Sequence, residues 1–358
     1  MATHKNLEDP LAGHPRYKKI RNLNKGSYGF VQLAYDRTTG SEVAIKFLQR
    51  GERLASVYVE REIVNHSSLL HPHIVQFKEA FLTPEYLAIA MEFVDGGDMF
   101  QYVKAKRGLQ EVEARWFFQQ VMIALDYLHR VGVVSRDIKL ENTLLDGNRR
   151  PLVKICDFGY SKHTEKDSVP KSRVGTPGYT APEIVTNRRN YDGKMVDVWS
   201  AGVMLYVMLF CTYPFERPED ERETPTKKYQ TVLQRVIRGD YVFPRNFPIS
   251  DECKDLLSKI LVVDPEKRLT VQQVQQHPWY LKDLPSGLSK FNDDCLAKQR
   301  EMPELAQNVE EVRKIVHDAM VLPSNSAFAN GNALIDSYNE EPEDGMEEDG
   351  SLEFSPSY

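Results

Sequence analysis

The order of the predicted elements limits the fold of this chain more strongly than any other feature of its sequence. Short apolar segments separated by the turn-forming pairs Lys25-Gly26 and Thr39-Gly40 predict strands near the amino terminus. A helical run at residues 55–69 interrupts them, and Gly96-Gly97 breaks the chain just after the last one. The predicted strands cover residues 17–23, 30–35, 42–48, 75–82 and 86–93.

Beyond residue 98 the pattern becomes mostly helical. The predicted helices cover residues 112–131, 194–209, 229–238, 251–261 and 271–276. Strands first and helices later predict an α+β protein with two lobes. We expect a small β-rich N-lobe over about residues 17–94 and a larger helical C-lobe over about residues 95–282.

Composition excludes several classes of protein. The longest apolar stretch, Ala201–Cys211, is too short to cross a bilayer, and the polar segment before Lys19 does not resemble a signal peptide. The four cysteines show no paired spacing, so we expect reduced thiols and no zinc site. We therefore expect a soluble protein of the cytoplasm and nucleus that does not associate with membranes.

Charge is distributed unevenly along the chain. The net charge is −6, but residues 315–358 contain ten Asp or Glu and no Lys or Arg, which leaves the preceding residues at +4. No single basic face is evident, so a nucleic-acid partner is not expected. Residues 324–358 contain few large apolar groups, so we expect an acidic, disordered tail.

Two further segments flank the predicted lobes. We expect residues 1–16 to be a flexible leader and residues 283–323 to be an extension that begins with a loop-like stretch at 283–303. Within this extension, Asn308 and Glu311 resemble a capping box. They predict a helix over about residues 308–322, ended by Pro323.

A polar run in the predicted C-lobe carries the clearest chemistry. Asp137 is suited to orient a substrate hydroxyl and accept its proton, and Lys139 can balance the charge of a transferring phosphoryl group. Asn142 and Asp157 supply the hard oxygen ligands that Mg²⁺ prefers. Their spacing predicts phosphoryl transfer from ATP. The motifs are Ser135-Arg136-Asp137-Ile138-Lys139-Leu140-Glu141-Asn142, Asp157-Phe158-Gly159 and Ala181-Pro182-Glu183.

The predicted N-lobe carries two matching motifs. A glycine-containing turn lies between the first two strands, where backbone N–H groups can approach phosphates closely. Lys46 ends the strand motif Val43-Ala44-Ile45-Lys46 and needs a carboxylate to hold it, for which Glu62 is the candidate and Glu60 the competitor. The turn residues that we expect to surround the nucleotide are Leu23, Asn24, Lys25, Gly26, Ser27, Tyr28, Gly29, Phe30 and Val31.

Together these motifs resemble those of eukaryotic Ser/Thr protein kinases over about residues 17–282. Asp197-Val198-Trp199-Ser200 matches a further motif of the family, and Lys139 matches its Ser/Thr branch. The resemblance implies the two-lobed protein-kinase fold and an ion pair between Glu183 and Arg268 that braces the activation segment. It also implies an adenine pocket lined by Ala44 and Met91, with the hinge at Glu92–Val94.

Within that family, the chain is most similar to the plant stress-activated sucrose-nonfermenting-related kinases of the second subfamily, which are linked to osmotic stress and abscisic acid. The motifs that carry this similarity are Leu140-Glu141-Asn142-Thr143-Leu144-Leu145-Asp146-Gly147, Lys154-Ile155-Cys156-Asp157-Phe158-Gly159-Tyr160-Ser161-Lys162 and Tyr191-Asp192-Gly193-Lys194. In that subfamily a helix after the catalytic domain braces the N-lobe and an acidic segment follows. Residues 308–322 and 336–353 resemble these two parts. The tail is interpreted either as a binding site for a regulatory phosphatase or as a solubilising tail.

Regulation and substrate choice are predicted from six positions. Ser172 aligns with the subfamily's main activating serine and would be phosphorylated by an upstream kinase or by the protein itself, with Ser168 and Thr176 as the other candidate acceptors. Arg136 would meet the phosphate. Asp98 and Glu141 match acids that hold an arginine of the protein substrate, which predicts Arg-x-x-Ser/Thr sites. The alternative role of Asp98 is to cap a helix after Gly97.

Two departures from the family pattern leave a second hypothesis open. Asn24 replaces a glycine, and Ser135 replaces a histidine that in the family packs beneath Phe158. Serine is smaller and would loosen this packing. An active kinase is favoured because Lys46 and Asp137 are retained. The alternative is a weakly active or inactive kinase-fold scaffold that binds partners through its tail.

Overall fold

The computed structural model describes residues 9–26, 29–51, 57–156, 177–186, 191–301 and 307–321. Several predicted features lie outside the described residues, so the predictions made for them stay predictions. They are residues 1–8, the turn residues Ser27 and Tyr28, the metal ligand Asp157, the phosphorylation sites Ser168, Ser172 and Thr176, the tail 324–358, and the side chains of Lys25 and Glu62.

The N-lobe is one antiparallel five-stranded sheet with the order β1-β2-β3-β5-β4. A turn joins β2 to β3, and the helix α1 lies between β3 and β4 in the chain. The five strands and the helix of this lobe are β1 (Tyr17–Gly26), β2 (Gly29–Asp36), β3 (Ser41–Gln49), α1 (Val57–Ser67), β4 (Phe77–Leu82) and β5 (Tyr86–Glu92).

Successive side chains of β3 point to opposite faces of this sheet. Ile45 and Phe47 are buried in a cluster on one face, and this cluster also contains Leu11 and Tyr17. Leu48 is buried on the other face together with Ile63 of α1. Because side chains two residues apart share a face, Lys46 lies on the same face as Leu48.

The C-lobe is helical apart from the two-stranded sheet of β6 and β7. Its central helix α5 is long and apolar enough to cross a membrane by composition alone, but 89% of it is buried inside the protein. It is therefore the core helix of the lobe. The elements are α2 (Met99–Lys106), α3 (Glu111–Arg130), β6 (Thr143–Leu145), β7 (Val153–Ile155), α4 (Pro182–Val185), α5 (Gly193–Phe210), α6 (Pro225–Arg238), α7 (Asp251–Ile260), α8 (Val271–Gln275) and α9 (Pro278–Leu281).

Part of the expected leader is packed rather than flexible. Leu11 is buried beneath the sheet. Arg16 joins the buried carboxylate of Asp36 at 2.7 Å and Glu79 of β4 at 3.0 Å. The prediction for residues 9–16 was wrong because one buried leucine and one arginine anchor them, and neither gives a periodic pattern.

Within its described residues, the extension contains two α-helices. α10 (Phe291–Glu301) lies in the stretch that we expected to be loop-like, so that expectation was wrong. α11 (Val309–Ala319) is the predicted helix, and its capping box of Asn308 and Glu311 is present. The buried face of α11 consists of Val312, Val316 and Ala319, which pack against α1, β4 and β5.

Candidate active site

The loop that carries Asp137 is held by one buried carboxylate of α5. Asp197 accepts the backbone N–H of Ser135 at 3.1 Å and that of Arg136 at 2.7 Å. His129, at the end of α3, lies 2.8 Å from the same carboxylate. Arg136 has a φ of 60°, a strained conformation for an arginine, and these hydrogen bonds hold it there.

Asp137, Lys139 and Asn142 converge as predicted. The Lys139 ammonium lies 3.1 Å from the Asp137 carboxylate. The Asn142 side-chain amide donates to the same carboxylate at 2.6 Å and to the Asp137 carbonyl at 3.1 Å. Because the amide nitrogen is engaged, the amide oxygen of Asn142 is the atom available to a hard cation. Next to it, Cys156 donates its backbone N–H to the Asn142 carbonyl at 2.9 Å.

The strands that carry the predicted nucleotide-binding residues are paired directly with one another. Lys46 of β3 pairs with Val31 of β2 and Ile89 of β5. A Cβ atom at Gly29 would lie 1.9 Å from the Phe47 carbonyl oxygen, so only glycine permits this approach of β2 to β3. The remaining described residues of the predicted pocket follow from the same strands: Leu23, Asn24 and Phe30 at the β1–β2 end, Ala44 of β3 opposite Met91 of β5, and Val94 after β5.

The hinge segment is tied to the C-lobe by side-chain and backbone contacts. Glu92, at the end of β5, forms an ion pair with Lys154 of β7 at 2.5 Å. Gly96 donates its N–H to the Leu145 carbonyl at 2.9 Å. Leu145 in turn donates its N–H to the carbonyl of Gly97 at 2.9 Å. Glu92 was predicted as a hinge residue, but its side-chain partner was not.

The two acids proposed for substrate binding are close enough for the charge of Asp98 to act on Glu141. Asp98 caps α2, since its carboxylate accepts the N–H of Gln101 at 2.8 Å. Glu141 keeps one carboxylate oxygen buried without a hydrogen-bond partner among the described residues. Burial raises the pKa of Glu141; the positive charge of Lys139 opposes this shift, while the negative charges of Asp137 and Asp98 add to it.

The ion pair implied by the family resemblance is present. Glu183 of α4 receives two hydrogen bonds from the Arg268 guanidinium, at 2.8 and 2.9 Å, and both side chains are buried. The guanidinium also lies 5.0 Å from the ring centre of Trp199 in α5. This pair fixes the end of the activation segment against the C-lobe core.

Two sets of contacts that support the site were not predicted from the sequence. The support that Asp197 and His129 give to the catalytic loop could have been suspected only from the family motif at 197–200. Tyr179 was also missed, although its hydroxyl accepts the N–H of Leu140 at 3.3 Å. Among the described residues, no cluster of three or more His, Cys, Asp or Glu side chains is arranged to hold a metal ion.

A family model described as a protein kinase domain matches residues 17–280. The chain belongs to the protein kinase family. The predicted fold class is therefore confirmed, and the protein is a Ser/Thr protein kinase that transfers phosphoryl groups from ATP to proteins.

The similarity to the plant subfamily is also confirmed. The kinase is 44% identical over 316 residues to Serine/threonine-protein kinase SRK2E of Arabidopsis thaliana, an alignment that covers 88% of this chain and 85% of the relative. It is 43% identical to Serine/threonine-protein kinase SAPK9 of Oryza sativa subsp. japonica, with 88% and 85% covered. Among solved structures, the crystal structure of Rad53 1-466 in complex with AMP-PNP matches with a TM-score of 0.62 and 32% identity, over 74% of this chain and 66% of that one.

Proposed function

We propose that this kinase phosphorylates Arg-x-x-Ser/Thr sites in stress signalling and that its activity requires Mg²⁺ and phosphorylation of the activation segment. We further propose that it acts in the cytoplasm and nucleus, which imaging of a fluorescent fusion would test. The similarity to SRK2E and SAPK9 supports the signalling role. A regulatory phosphatase is proposed to bind the acidic tail. A phosphatase that binds equally well after deletion of residues 324–358 would contradict that part.

The carboxylate of Glu141 carries the proposal on substrate choice. A buried carboxylate oxygen without a partner is unfavourable, and a cation from a ligand would relieve this cost. Asp137 and Asp98 add negative charge around it. A guanidinium supplies five donors in a rigid fork that matches a carboxylate, so an arginine of the substrate fits this position better than a lysine.

The proposal for Mg²⁺ depends on Asn142 and on Asp157, which lies outside the described residues. Asn142 fits the role because Asp137 engages its amide nitrogen and leaves the oxygen as the ligand atom. The ion, when bound with ATP, would neutralise phosphate charge. Asp137 is placed to orient the substrate hydroxyl and take up its proton, and Lys139 holds the Asp137 carboxylate in place.

Substrate choice is tested with the purified full chain and a peptide library. We expect wild type to prefer arginine three residues before the acceptor, and Glu141→Gln to lose about tenfold or more of that preference, because a charge-assisted hydrogen bond contributes about 1.5–3 kcal/mol. Asp98→Asn is the second variant, because asparagine caps a helix as well as aspartate but carries no charge.

Glu252→Gln serves as the control, since Glu252 is an exposed acid on α7. Its arginine preference should equal that of wild type. A library profile of wild type that is indifferent to arginine at this position would refute the proposed specificity. Unchanged preference in both Glu141→Gln and Asp98→Asn would refute the assignment of these two residues.

A further inference from the structure

Arg50 follows β3 directly, and its guanidinium contacts four backbone carbonyl oxygens on two separate segments. Nη2 lies 2.9 Å from the carbonyl oxygen of Asp318 and 2.9 Å from that of Val321, at the end of α11. Nη1 lies 3.2 Å from the carbonyl oxygen of Thr83 and 3.4 Å from that of Pro84, in the turn between β4 and β5. A planar guanidinium can make these contacts at once, whereas an ammonium is a single point.

These contacts supply hydrogen-bond donors to carbonyl groups at the carboxyl-terminal end of α11. The last carbonyl groups of a helix have no partner within the helix and carry a partial negative charge. Arg50 provides a cation for one of them, the carbonyl of Asp318, and for the carbonyl of Val321 just beyond the helix. The backbone N–H of Gly51 donates to the carbonyl of Ala319 at 3.0 Å. The segment that follows β3 therefore acts as the cap of a helix that lies about 270 residues later in the sequence.

The buried face of α11 packs against α1. Val312 and Val316 are buried in the same cluster as Ile63 of α1. At the surface, Arg313 of α11 lies 3.7 Å from Glu60 of α1. α11 consequently contacts both the helix that contains position 62 and, through Arg50, the end of the strand that contains Lys46.

Leu48 connects α11 to the part of β3 that carries Lys46. It is buried in the cluster that α11 covers, and it lies two residues from Lys46 on the same face of β3. We propose that Arg50 is a positioning residue: by clamping the end of α11 to the end of β3, it sets the position of the Lys46 strand relative to α1. The proposal builds on the kinase activity but concerns the coupling of α11 to the ATP site.

The test compares Arg50→Gln and Arg50→Lys with wild type in the full chain. We expect Arg50→Gln to lower kcat/KM for ATP about tenfold, since at least one charge-assisted hydrogen bond is lost, while KM for the peptide substrate stays within about twofold. Arg50→Lys should retain part of the activity. Amide hydrogen exchange of residues 309–319 should become faster in Arg50→Gln, and this measurement does not depend on kinase activity.

Arg37→Gln is the matched control. Arg37 is an N-lobe arginine that also binds two backbone carbonyl groups, those of His14 and Pro15, at 2.9 and 3.0 Å, but it does not touch α11. In the Arg37→Gln variant, amide hydrogen exchange of α11 and kcat/KM for ATP should equal those of wild type. In a Val316→Asp background, where the packing of α11 is disrupted, Arg50→Gln should change kcat/KM by less than about twofold. Unchanged exchange in α11, or full additivity with Val316→Asp, would overturn the proposal.

Discussion

Ser135 is the residue at which this kinase departs most clearly from its family. Its side chain is buried, and its hydroxyl oxygen has no hydrogen-bond partner among the described residues. Its backbone N–H is nevertheless held by Asp197, as is that of Arg136. The substitution therefore leaves these two hydrogen bonds to the catalytic loop intact.

Replacing Ser135 by histidine should raise activity. A histidine would restore the packing that the family resemblance implies, and packing of this kind contributes about 1 kcal/mol, or about fivefold in kcat. The measurement is ATP-dependent peptide phosphorylation by Ser135→His, wild type and Asp137→Ala, with Asp137→Ala as the blank. Equal rates in wild type and Asp137→Ala would favour the hypothesis of an inactive kinase-fold scaffold over that of an active kinase. If Ser135→His were slower than wild type, serine would be the better fit.

The residues to which we assign chemistry were predicted from the sequence because phosphoryl transfer fixes their type and spacing. Asp137, Lys139 and Asn142 do converge. Residues that support them were harder to predict, since Asp197 acts on backbone groups about 60 positions earlier and any buried acceptor of the right length would serve. Glu183 and Arg268 were found through the family resemblance, because nothing in their local sequence indicates a pair.

At the scale of elements, α10 shows why a helix can escape detection. Its sequence is mostly polar, and the amide side chains of two residues make four of the contacts that dock it. Asn292 donates to the Ile123 carbonyl at 2.9 Å and to Asp126 at 2.7 Å, and its amide oxygen lies 3.0 Å from Nε2 of His71. Gln299 donates to the Ser68 carbonyl at 2.8 Å. Most of the other helices were predicted from hydrophobic periodicity, and polar contacts of this kind leave no such periodicity in the sequence.

The burial of His71 by this docking should make stability depend on pH. His71 packs against Tyr127, Phe291 and Asn292, and burial, together with the positive charge of Lys154 and the neighbouring His73, lowers its pKa to about 3. The folded protein therefore resists protonation at His71, while the unfolded chain protonates near pH 6.5. As pH falls below about 6.5, the free energy of unfolding should decrease by up to about 1.4 kcal/mol per pH unit from His71 alone.

Urea titrations between about pH 5 and 7 measure this slope. His71→Gln should show a smaller decrease than wild type over that interval. His317→Gln is the matched control, since His317 is an exposed histidine on α11, and it should keep the wild-type slope. Identical slopes in wild type and His71→Gln would contradict the assignment to His71.

At the scale of the whole molecule, the extension contacts both lobes. α10 docks on α3 of the C-lobe and on the loop between α1 and β4, while α11 covers α1 and the end of β3. The loop before β4 in turn reaches β7, where Ile155 donates its N–H to the His73 carbonyl at 2.9 Å. The order of strands and helices predicted the two lobes, but it could not predict these links, because they join segments that are more than 80 residues apart.

Activation is the property that involves the most distant parts of the chain, and Ser172 is where we expect it to be controlled. Arg136 is exposed next to Asp137, in a backbone conformation fixed by Asp197. A phosphate on Ser172 would form charge-assisted hydrogen bonds with this guanidinium and order the segment that ends at the Glu183–Arg268 pair. Ser172→Ala should therefore lose about tenfold or more of the activity that wild type gains on activation.

The measurement treats wild type, Ser172→Ala and Ser168→Ala with the same activating kinase before the peptide assay. Ser168→Ala is the matched control, since it removes a second serine of the same segment, and it should be activated as wild type is. Arg136→Gln separates the phosphate contact from phosphorylation itself: it should accept phosphate at Ser172 but gain little activity. Equal activity of Ser172→Ala and wild type after identical treatment would show that activation is controlled elsewhere in the chain.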